Sequence, residues 1–347
     1  MFALAAAVAS IVTPLTITLS QRLRLLDEPD ARKVHASATP RLGGIGIFAG
    51  VLIVGLPAFL IVSSWPDVGR IAPNQHLALL LGATFVFIIG LLDDITPVSS
   101  RYKLFALLAA SAVVCGSGGA LDDLRFSGNS FVEFHWVSWL VTIVWITGFA
   151  VAFNFIDGLD GLAGGLALLG SCTLAYFLLD NGSYVGAIAP LVLAGSLLGF
   201  LRFNWNPAKT FMGDGGSMTV GFLLGAMTII SNPTVGTMRS MFVPGLALSV
   251  AFVDTALTLF RRRYEQRRSM FAAERGHIHH RLLDRGFSHV QAVQLIHAVS
   301  IAAVLIGFMS LAFEGWATLG GISLLLPLLG VFFHFAGSII HGRTALF

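Results

Sequence analysis

Three polar side chains interrupt an apolar part of the chain in the segment NFIDGLDG. Asn154, Asp157 and Asp160 are spaced three residues apart, so a helix would carry all of them on one face. A carboxylate at membrane depth is costly unless it is paired or liganded. Oxygen donors of this kind suit Mg²⁺, which takes one or two carboxylates and completes its shell with phosphate and water. The segment predicts a magnesium site, with an Asx-rich helix cap as the alternative.

Two further clusters carry carboxylates. The sequence LLDDITP ends an apolar segment with Asp93 and Asp94, and Lys103 is the nearest amine that follows. Neighbours on a helix point about 100° apart, so the two aspartates do not easily share one role. In FMGDGGS, Asp214 precedes another apolar segment, where a helix N-terminus favours anions. We expect one aspartate of the pair to act as base or metal ligand and Lys103 to meet phosphate; anionic helix caps are the alternative.

The remaining two polar clusters are basic. One is RKVHASATPRLGG, and the other is HIHHR, which is followed by more arginine. Clustered histidines can bind zinc, but neither cysteine nor carboxylate is placed to complete a structural zinc site. A positive, hydrogen-bond-donating loop is better suited to a diphosphate. The alternative is that these basic residues only orient the chain in a membrane.

The composition predicts an integral membrane protein with an all-α fold. Only 11% of the 347 residues are charged and 56% are hydrophobic, whereas soluble domains carry roughly 25% charged residues. Apolar stretches near the roughly 20 residues that span a bilayer predict eleven transmembrane helices, or ten if a short one is not a span. The predicted spans are 1–20, 43–64, 76–92, 103–121, 136–153, 160–179, 184–203, 215–231, 239–260, 291–312 and 315–337.

The loops indicate the orientation of the chain. Those that follow odd-numbered spans, together with the C-terminal tail, hold 18 of the 21 Lys and Arg residues. Cytoplasmic loops carry such an excess, so we expect the N-terminus outside and the C-terminus in the cytoplasm. All five polar clusters then lie on the cytoplasmic side. We predict one transmembrane domain, 1–347, whose cytoplasmic loop 261–290 contributes to a single site, and we expect no nucleic-acid partner.

Five segments in this order resemble one known family. They are RKVHASATPRLGG, LLDDI followed by YK, NFIDGLDGLAGG, FNWNPAKTFMGDGGS and HIHHRL. From about residue 22 to 290 the chain resembles the polyprenyl-phosphate N-acetylhexosamine-1-phosphate transferases, the family of WecA, TagO and MraY. The isoleucine within HIHH is similar to the WecA and TagO branch, whereas MraY-type sequences carry three consecutive histidines.

The resemblance implies a glycosyl-1-phosphate transferase that needs Mg²⁺, with Mn²⁺ as an alternative metal. A polyprenyl phosphate, undecaprenyl phosphate in bacteria, would attack the β-phosphorus of a UDP-N-acetylhexosamine at the cytoplasmic face of the inner membrane. UMP would leave. The first expectation for the transferred group is GlcNAc-1-phosphate. The resulting lipid-linked sugar would start a cell-envelope glycan such as O-antigen or teichoic acid. The expected partners are these two substrates and the bilayer, and a homodimer is open.

The motifs and the resemblance together predict three groups of site residues. The metal ligands are Asp214, Asn154 and Asp157, and the catalytic group at the lipid phosphate is Asp93, Asp94 and Lys103. The substrate-binding residues are Lys33, His35, Gly158, Asp160, Asn204, His277, His279, His280 and Arg281.

The mechanism has alternatives at this point. A phosphate monoester has a second pKa near ~6, so the lipid phosphate is mostly dianionic and offers a base little proton to remove. Orientation of the lipid phosphate or of the metal by Asp93 and Asp94 is therefore favoured over a base role for Asp93. A two-step route through an aspartyl-phosphate stays open.

The function has alternatives as well. Another donor, UDP-N-acetylmuramoyl-pentapeptide or a deoxy sugar such as UDP-FucNAc or UDP-QuiNAc, would use the same chemistry. A cation-coupled transporter also places carboxylates beside glycine-broken helices, but its site lies near the midplane of the membrane. Here the carboxylates cluster at span ends on one face, which favours the transferase.

Overall fold

A computed structural model describes residues 1–28, 38–63, 73–120, 125–126, 129–130, 135–230, 245–262, 276–312 and 316–337. The described helices are α1 (Phe2–Leu23), α2 (Gly44–Ser63), α3 (Pro73–Ile95), α4 (Ser100–Gly116), α5 (His135–Ile156), α6 (Leu162–Asp180), α7 (Ile188–Asn204), α8 (Gly213–Ile230), α9 (Ser249–Phe260), α10 (Ile278–Asp284), α11 (His289–Ala312) and α12 (Trp316–Phe335). The all-α fold class is thereby confirmed.

Each of the eleven predicted apolar segments overlaps one of these helices. A helix satisfies its own backbone hydrogen bonds, which is the requirement for crossing lipid. Within the described ranges, six helices are long and apolar enough to span a membrane: α1, α2, α3, α5, α6 and α11. Helices α7 and α9 are apolar but shorter. A helical membrane protein is confirmed at this level, and the count of eleven spans and the orientation stay predictions.

Helix α8 forms the centre of the bundle. Every residue from Gly215 to Ile230 is buried, and α8 packs against α2, α3 and α5. The first turn of α8 fits because its neighbours are small: a Cβ on Gly44 would lie 2.5 Å from the Cα of Gly216, and one on Gly90 would lie 2.6 Å from the Cα of Gly215. Small residues at such contacts let membrane helices approach closely. The start of α8 is therefore held between α2 and α3.

A short hairpin joins the segment before α2 to the segment before α8. Strands β1 (Leu26–Asp27) and β2 (Thr39–Pro40) pair antiparallel. The Phe211 N–H donates to the Pro40 carbonyl at 2.7 Å, and the Gly44 N–H donates to Met212 at 2.9 Å. The hairpin thus lies beside Asp214. A second hairpin pairs β3 (Arg125–Phe126) with β4 (Asn129–Ser130).

Candidate active site

The Lys103 ammonium joins two of the predicted carboxylates. Lys103 Nζ donates to Asp93 Oδ2 at 2.9 Å and to Asp214 Oδ2 at 2.6 Å. Asp93 also accepts the Val98 N–H, from the turn between α3 and α4. These contacts connect the end of α3, the start of α4 and the start of α8. The predicted catalytic Asp93 and Lys103 therefore lie together with the predicted metal ligand Asp214.

Asp94 has a different environment from its neighbour. Its two carboxylate oxygens accept the backbone N–H groups of Asp214 at 2.8 Å and of Gly215 at 2.9 Å. Asp94 is thus an N-terminal cap for α8 supplied by another helix, α3, and it satisfies two N–H groups that the helix leaves unpaired. The residue is 8% exposed. These contacts show that the adjacent aspartates have different partners, and their separate roles in the reaction stay a prediction.

The Asp214 turn leaves no room for a side chain at the preceding residue. Gly213 has φ +71°, and a Cβ there would lie 2.4 Å from the Arg41 carbonyl oxygen and 2.6 Å from Asp94 Oδ2. Only glycine adopts this backbone conformation readily. The GDG sequence therefore presents Asp214 at a sharp turn between the hairpin and α8.

A polar cleft of about 320 Å³ opens at this point. It contains predicted residues from four motifs, together with Asp27 of the hairpin, Arg41 directly after it and His289, the first residue of α11. The described lining residues are Asp27, Arg41, Asp94, Asn154, Asp157, Gly158, Leu159, Asp160, Phe211, Gly213, Asp214, His280 and His289. The structure thus brings the motifs into one site, as the loop positions predict.

Asn154, Asp157 and Asp214 line this cleft together. The Asn154 amide donates to Ser217 Oγ at 3.1 Å, which leaves its oxygen as the atom for a metal. Desolvation, with the negative charges of Asp214, Asp94 and Asp160, raises the pKa of Asp157 to about 8. A cation would relieve this crowding of carboxylates, and the donor set suits Mg²⁺. Among the described residues there is no preformed cluster of three His, Cys, Asp or Glu side chains that would hold a metal by themselves.

Asp160 is held mainly by the loop after α7. Its Oδ2 accepts the Asn206 amide at 2.9 Å and the Ala208 N–H at 3.0 Å. Its own N–H donates to His289 Nε2 at 2.8 Å, so the ring of His289 accepts at that nitrogen. Asp160 lines the cleft, and its contact with a nucleotide stays a prediction.

Asn204 lies behind the cleft and is 3% exposed. Its oxygen accepts the Gly161 N–H at 3.0 Å, and its amide donates to the Thr210 carbonyl at 2.9 Å. These contacts join the DGLDG turn to the loop before Asp214. They assign Asn204 a positioning role, whereas the predicted nucleotide contact is not tested by them.

The histidine segment reaches the cleft through His280. His279 is 2% exposed and packs on the DGLDG turn, where a Cβ on Gly158 would lie 2.3 Å from His279 Nε2. Burial, reinforced by the neighbouring histidines, lowers the pKa of His279 well below its usual value. His279 is therefore a neutral packing group at neutral pH, and Gly158 is needed for this contact.

Arg281 is not among the described residues that line the cleft. Arg281 donates to the backbone carbonyls of Gly276 at 2.9 Å and of Gly337. It ties the histidine segment to the end of α12, and substrate binding by Arg281 stays a prediction. Lys33 and His35 lie outside the described residues, as do residues 263–275 of the loop 261–290.

An apolar groove meets the polar cleft at Lys103 and Asn154. The groove is about 90 Å³ and is lined by Ser100, Lys103, Leu104, Leu107, Val151, Asn154, Phe155 and Met218. Asn154 lines both the groove and the cleft. A chain that is apolar along its length and anionic at one end fits this junction.

Three residues that contribute to the site were not predicted from the sequence. His289 accepts the Asp160 N–H, Ser217 accepts the Asn154 amide, and Asp254 binds His277. A lone carboxylate within a predicted span marks a functional residue, so the sequence contained a signal for Asp254. Single His and Ser residues at span ends carry no comparable signal.

Comparison with known proteins decides the family. A family model described as glycosyl transferase family 4 matches residues 76–232. A probable undecaprenyl-phosphate N-acetylglucosaminyl 1-phosphate transferase of Bacillus subtilis (strain 168) is 33% identical, with 85% of this chain and 81% of the relative covered. The chain belongs to the polyprenyl-phosphate N-acetylhexosamine-1-phosphate transferase family.

Other relatives of this transferase chain differ in the substrates their names state. A decaprenyl-phosphate N-acetylglucosaminephosphotransferase of Mycobacterium leprae is 34% identical, with 84% of this chain and 78% of the relative covered. A phospho-N-acetylmuramoyl-pentapeptide-transferase of Desulforamulus reducens is also 34% identical, with 66% of this chain and 73% of the relative covered. Together with the apolar helices, the relatives show that this transferase is a multi-pass membrane protein.

Proposed function

We propose that the protein transfers N-acetylglucosamine-1-phosphate from UDP-GlcNAc to a polyprenyl phosphate and releases UMP. The observation that carries this proposal is the junction at Lys103 and Asn154, where an apolar groove meets a polar, carboxylate-rich cleft. The groove suits the isoprenoid chain and the cleft suits the nucleotide sugar. The names of relatives from several bacteria support the same reaction.

The Lys103 ammonium has the position to receive the acceptor phosphate. It lines the groove and contacts Asp214, which lines the cleft. An acceptor phosphate oxygen forms a new bond to the β-phosphorus, and the bond from that phosphorus to the oxygen bridging to UMP breaks. The ammonium offsets the charge of the incoming phosphate, since in phosphoryl transfer positioning and electrostatics supply most of the catalysis.

Asp93 acts on this step through Lys103. Its carboxylate holds Nζ at 2.9 Å and is itself fixed by the Val98 N–H. The acceptor phosphate is already mostly dianionic, because its second pKa lies near ~6, and no base is needed for attack. Orientation of Lys103 by Asp93 is thus the favoured role, with a base and an aspartyl-phosphate route as alternatives.

Asp214, Asp157 and the Asn154 oxygen are the residues that would hold Mg²⁺. When bound, the ion neutralises diphosphate oxygens and the leaving UMP. Asp94 keeps the Asp214 backbone in place through the α8 cap. Phe211 and Leu159 add apolar surface to the cleft wall beside Asp160, where the planar uracil ring would be excluded from water.

The cytoplasmic side of the bacterial inner membrane is the proposed location of this chemistry. The excess of Lys and Arg in one set of predicted loops supports that orientation, and all five motifs fall in the same set of predicted loops. Nucleotide sugars are soluble anions, so the cleft that receives them must open to an aqueous face.

Another donor sugar is the second candidate. The similarity to a phospho-N-acetylmuramoyl-pentapeptide-transferase supports the same chemistry on UDP-N-acetylmuramoyl-pentapeptide, and deoxy-N-acetylhexosamines remain in the same class. The HIHH form of the histidine segment favours UDP-GlcNAc.

Purified protein incubated with Mg²⁺, polyprenyl phosphate and UDP-GlcNAc tests the proposal. We expect UMP release that requires both the lipid and the metal, and release should stop with EDTA and return with Mg²⁺. Parallel reactions with UDP-N-acetylmuramoyl-pentapeptide and deoxy-N-acetylhexosamine donors identify the sugar. Folded protein that releases no UMP from any of these donors would refute the proposal.

A further inference from the structure

Asp254 is a buried carboxylate that the reaction described above does not use. It lies in the middle of α9 and is 1% exposed. Its Oδ2 contacts His277 Nδ1 at 2.8 Å, and its Oδ1 accepts the Ile278 N–H at 2.8 Å. A buried charge is retained only where close partners compensate for the lost water. Here both partners belong to the histidine segment.

The contact with His277 determines which ring nitrogen carries the proton. An ionised carboxylate only accepts hydrogen bonds, so His277 Nδ1 donates to Asp254. The Ile278 N–H is the first of α10, and Asp254 therefore also caps that helix. One side chain of α9 thus sets both the ring orientation of His277 and the start of α10.

A row of histidine rings connects His277 to the cleft. The His277 and His279 rings lie parallel, with centroids 5.8 Å apart and an interplanar angle of 1°. His279 packs on Gly158 of the DGLDG turn, and the next ring, 4.3 Å from that of His279, belongs to His280. His280 lines the cleft together with the carboxylates. Movement of His277 would therefore displace His280 relative to Asp157.

Arg261, directly after α9, holds the histidine segment at a second point. Arg261 Nη2 donates to the Gly276 carbonyl at 2.8 Å, directly before His277. This contact involves only backbone of the segment, whereas the contact from Asp254 involves a histidine ring. The contact made by Asp254 can therefore be tested separately from the contact made by Arg261.

We propose that Asp254 is a positioning residue for donor binding: through His277 and the α10 cap it holds His280 at the cleft wall that receives the diphosphate of the nucleotide sugar. This inference rests on the proposed function. Asp254 does not line the groove in which the lipid is placed. Its loss should consequently weaken the interaction with the donor and leave that with the lipid acceptor intact.

The test compares Asp254→Asn, Asp254→Glu and His277→Ala with the parent enzyme, after the parent has shown UMP release with UDP-GlcNAc. We expect Asp254→Asn to raise the KM for UDP-GlcNAc about 10- to 100-fold, the range for residues that orient a ligand-contacting group. The KM for polyprenyl phosphate should stay at the parent value, because Asp254 does not line the groove. Asp254→Glu keeps a carboxylate for His277 and should restore part of the donor affinity.

A double-mutant cycle shows whether Asp254 acts through His277. If it does, Asp254→Asn combined with His277→Ala should be no worse than the more damaging single variant, because coupled residues are not additive. Ser249→Ala is the matched control in α9, since its hydroxyl bonds only to the Leu246 carbonyl among the described contacts, and both KM values should be those of the parent.

Several results would overturn the inference. They are a parent-like donor KM in Asp254→Asn, multiplicative losses in the double variant, or an equal rise of both KM values together with a lower melting temperature. If the asparagine variant does not insert, His277→Ala carries the test, and a parent-like donor KM for that variant overturns the inference. An inactive parent would instead refute the proposed function.

Discussion

At the scale of single residues, the site depends on opposite charges held at short range. Lys103 contacts Asp93 and Asp214, and Asp157 lies in a cleft wall shared with Asp214 and Asp160. The sequence predicted these residue types from the cost of carboxylates at membrane depth. It could not predict that Lys103 would join two motifs 111 residues apart, because such contacts depend on helix packing.

Asp214→Asn tests the metal-binding role. The amide retains the size of the side chain but loses the charge that a divalent cation needs, so we expect turnover to fall about 100-fold or more. The measurement is the rate of UMP release at saturating substrates. Asp180→Asn, at an exposed position at the end of α6, is the matched control and should keep the parent rate. A fully active Asp214→Asn would remove this residue from the metal site.

Lys103→Met tests the contact with the acceptor phosphate. The substitution keeps an unbranched apolar chain in the groove and removes the ammonium, so we expect the KM for polyprenyl phosphate to rise about 10-fold or more, the cost of losing about 1.4 kcal/mol of charge-assisted hydrogen bonding. Lys103→Arg keeps the charge and should be less affected. Unchanged lipid kinetics in Lys103→Met would contradict a role at the acceptor.

Among the secondary-structure elements, two helices of the site are capped in the same way, by an aspartate from another helix. Helix α8 is capped by Asp94 from α3, and α10 is capped by Asp254 from α9. The caps come from distant parts of the chain, so sequence patterns of local capping do not reveal them. Asp93 and Asp94 contact different partners, because neighbours on a helix face different directions, whereas their separate roles in the reaction stay a prediction.

Asp94→Asn tests the cap of α8. The asparagine amide has a single oxygen, so it can replace only one of the two hydrogen bonds that the carboxylate oxygens accept. We expect the free energy of unfolding to fall by about 1–2 kcal/mol, the usual range for a lost cap. The melting temperature in detergent should fall, and turnover should fall because the Asp214 turn is displaced. A variant that melts with the parent and turns over at the parent rate would show that the cap is dispensable.

In the whole molecule, the positions of the helices could be predicted from the sequence. The number of helices that span the membrane could not. All eleven predicted apolar segments contain helices, because each has too few polar groups for an aqueous surface. Helices such as α4, with 17 residues, and α9, with 12 residues, are shorter than the roughly 20 residues of a full span. Length and hydropathy alone therefore leave the count and the orientation as predictions.

Cysteine accessibility tests the orientation. In a Cys172→Ser background, Ser288→Cys precedes α11 and Tyr184→Cys precedes α7, and both positions are exposed. The predicted orientation places residue 288 in the cytoplasm and residue 184 outside. An impermeant maleimide added to intact spheroplasts should label Tyr184→Cys alone, and labelling of inverted vesicles should show the reverse. The opposite pattern would invert the orientation.

In the proposed reaction, the sugar moves from the nucleotide to the lipid together with its phosphate. The most direct measurement is transfer from UDP-GlcNAc labelled with ³²P at the β-phosphorus, with extraction of the lipid after reaction. Because the bond between the α- and β-phosphates breaks in our account, the label should enter the lipid fraction in equal amount to the UMP released. A glycosyl transfer without phosphate would leave the label in UDP. Label retained in the nucleotide while the sugar enters the lipid would contradict the account.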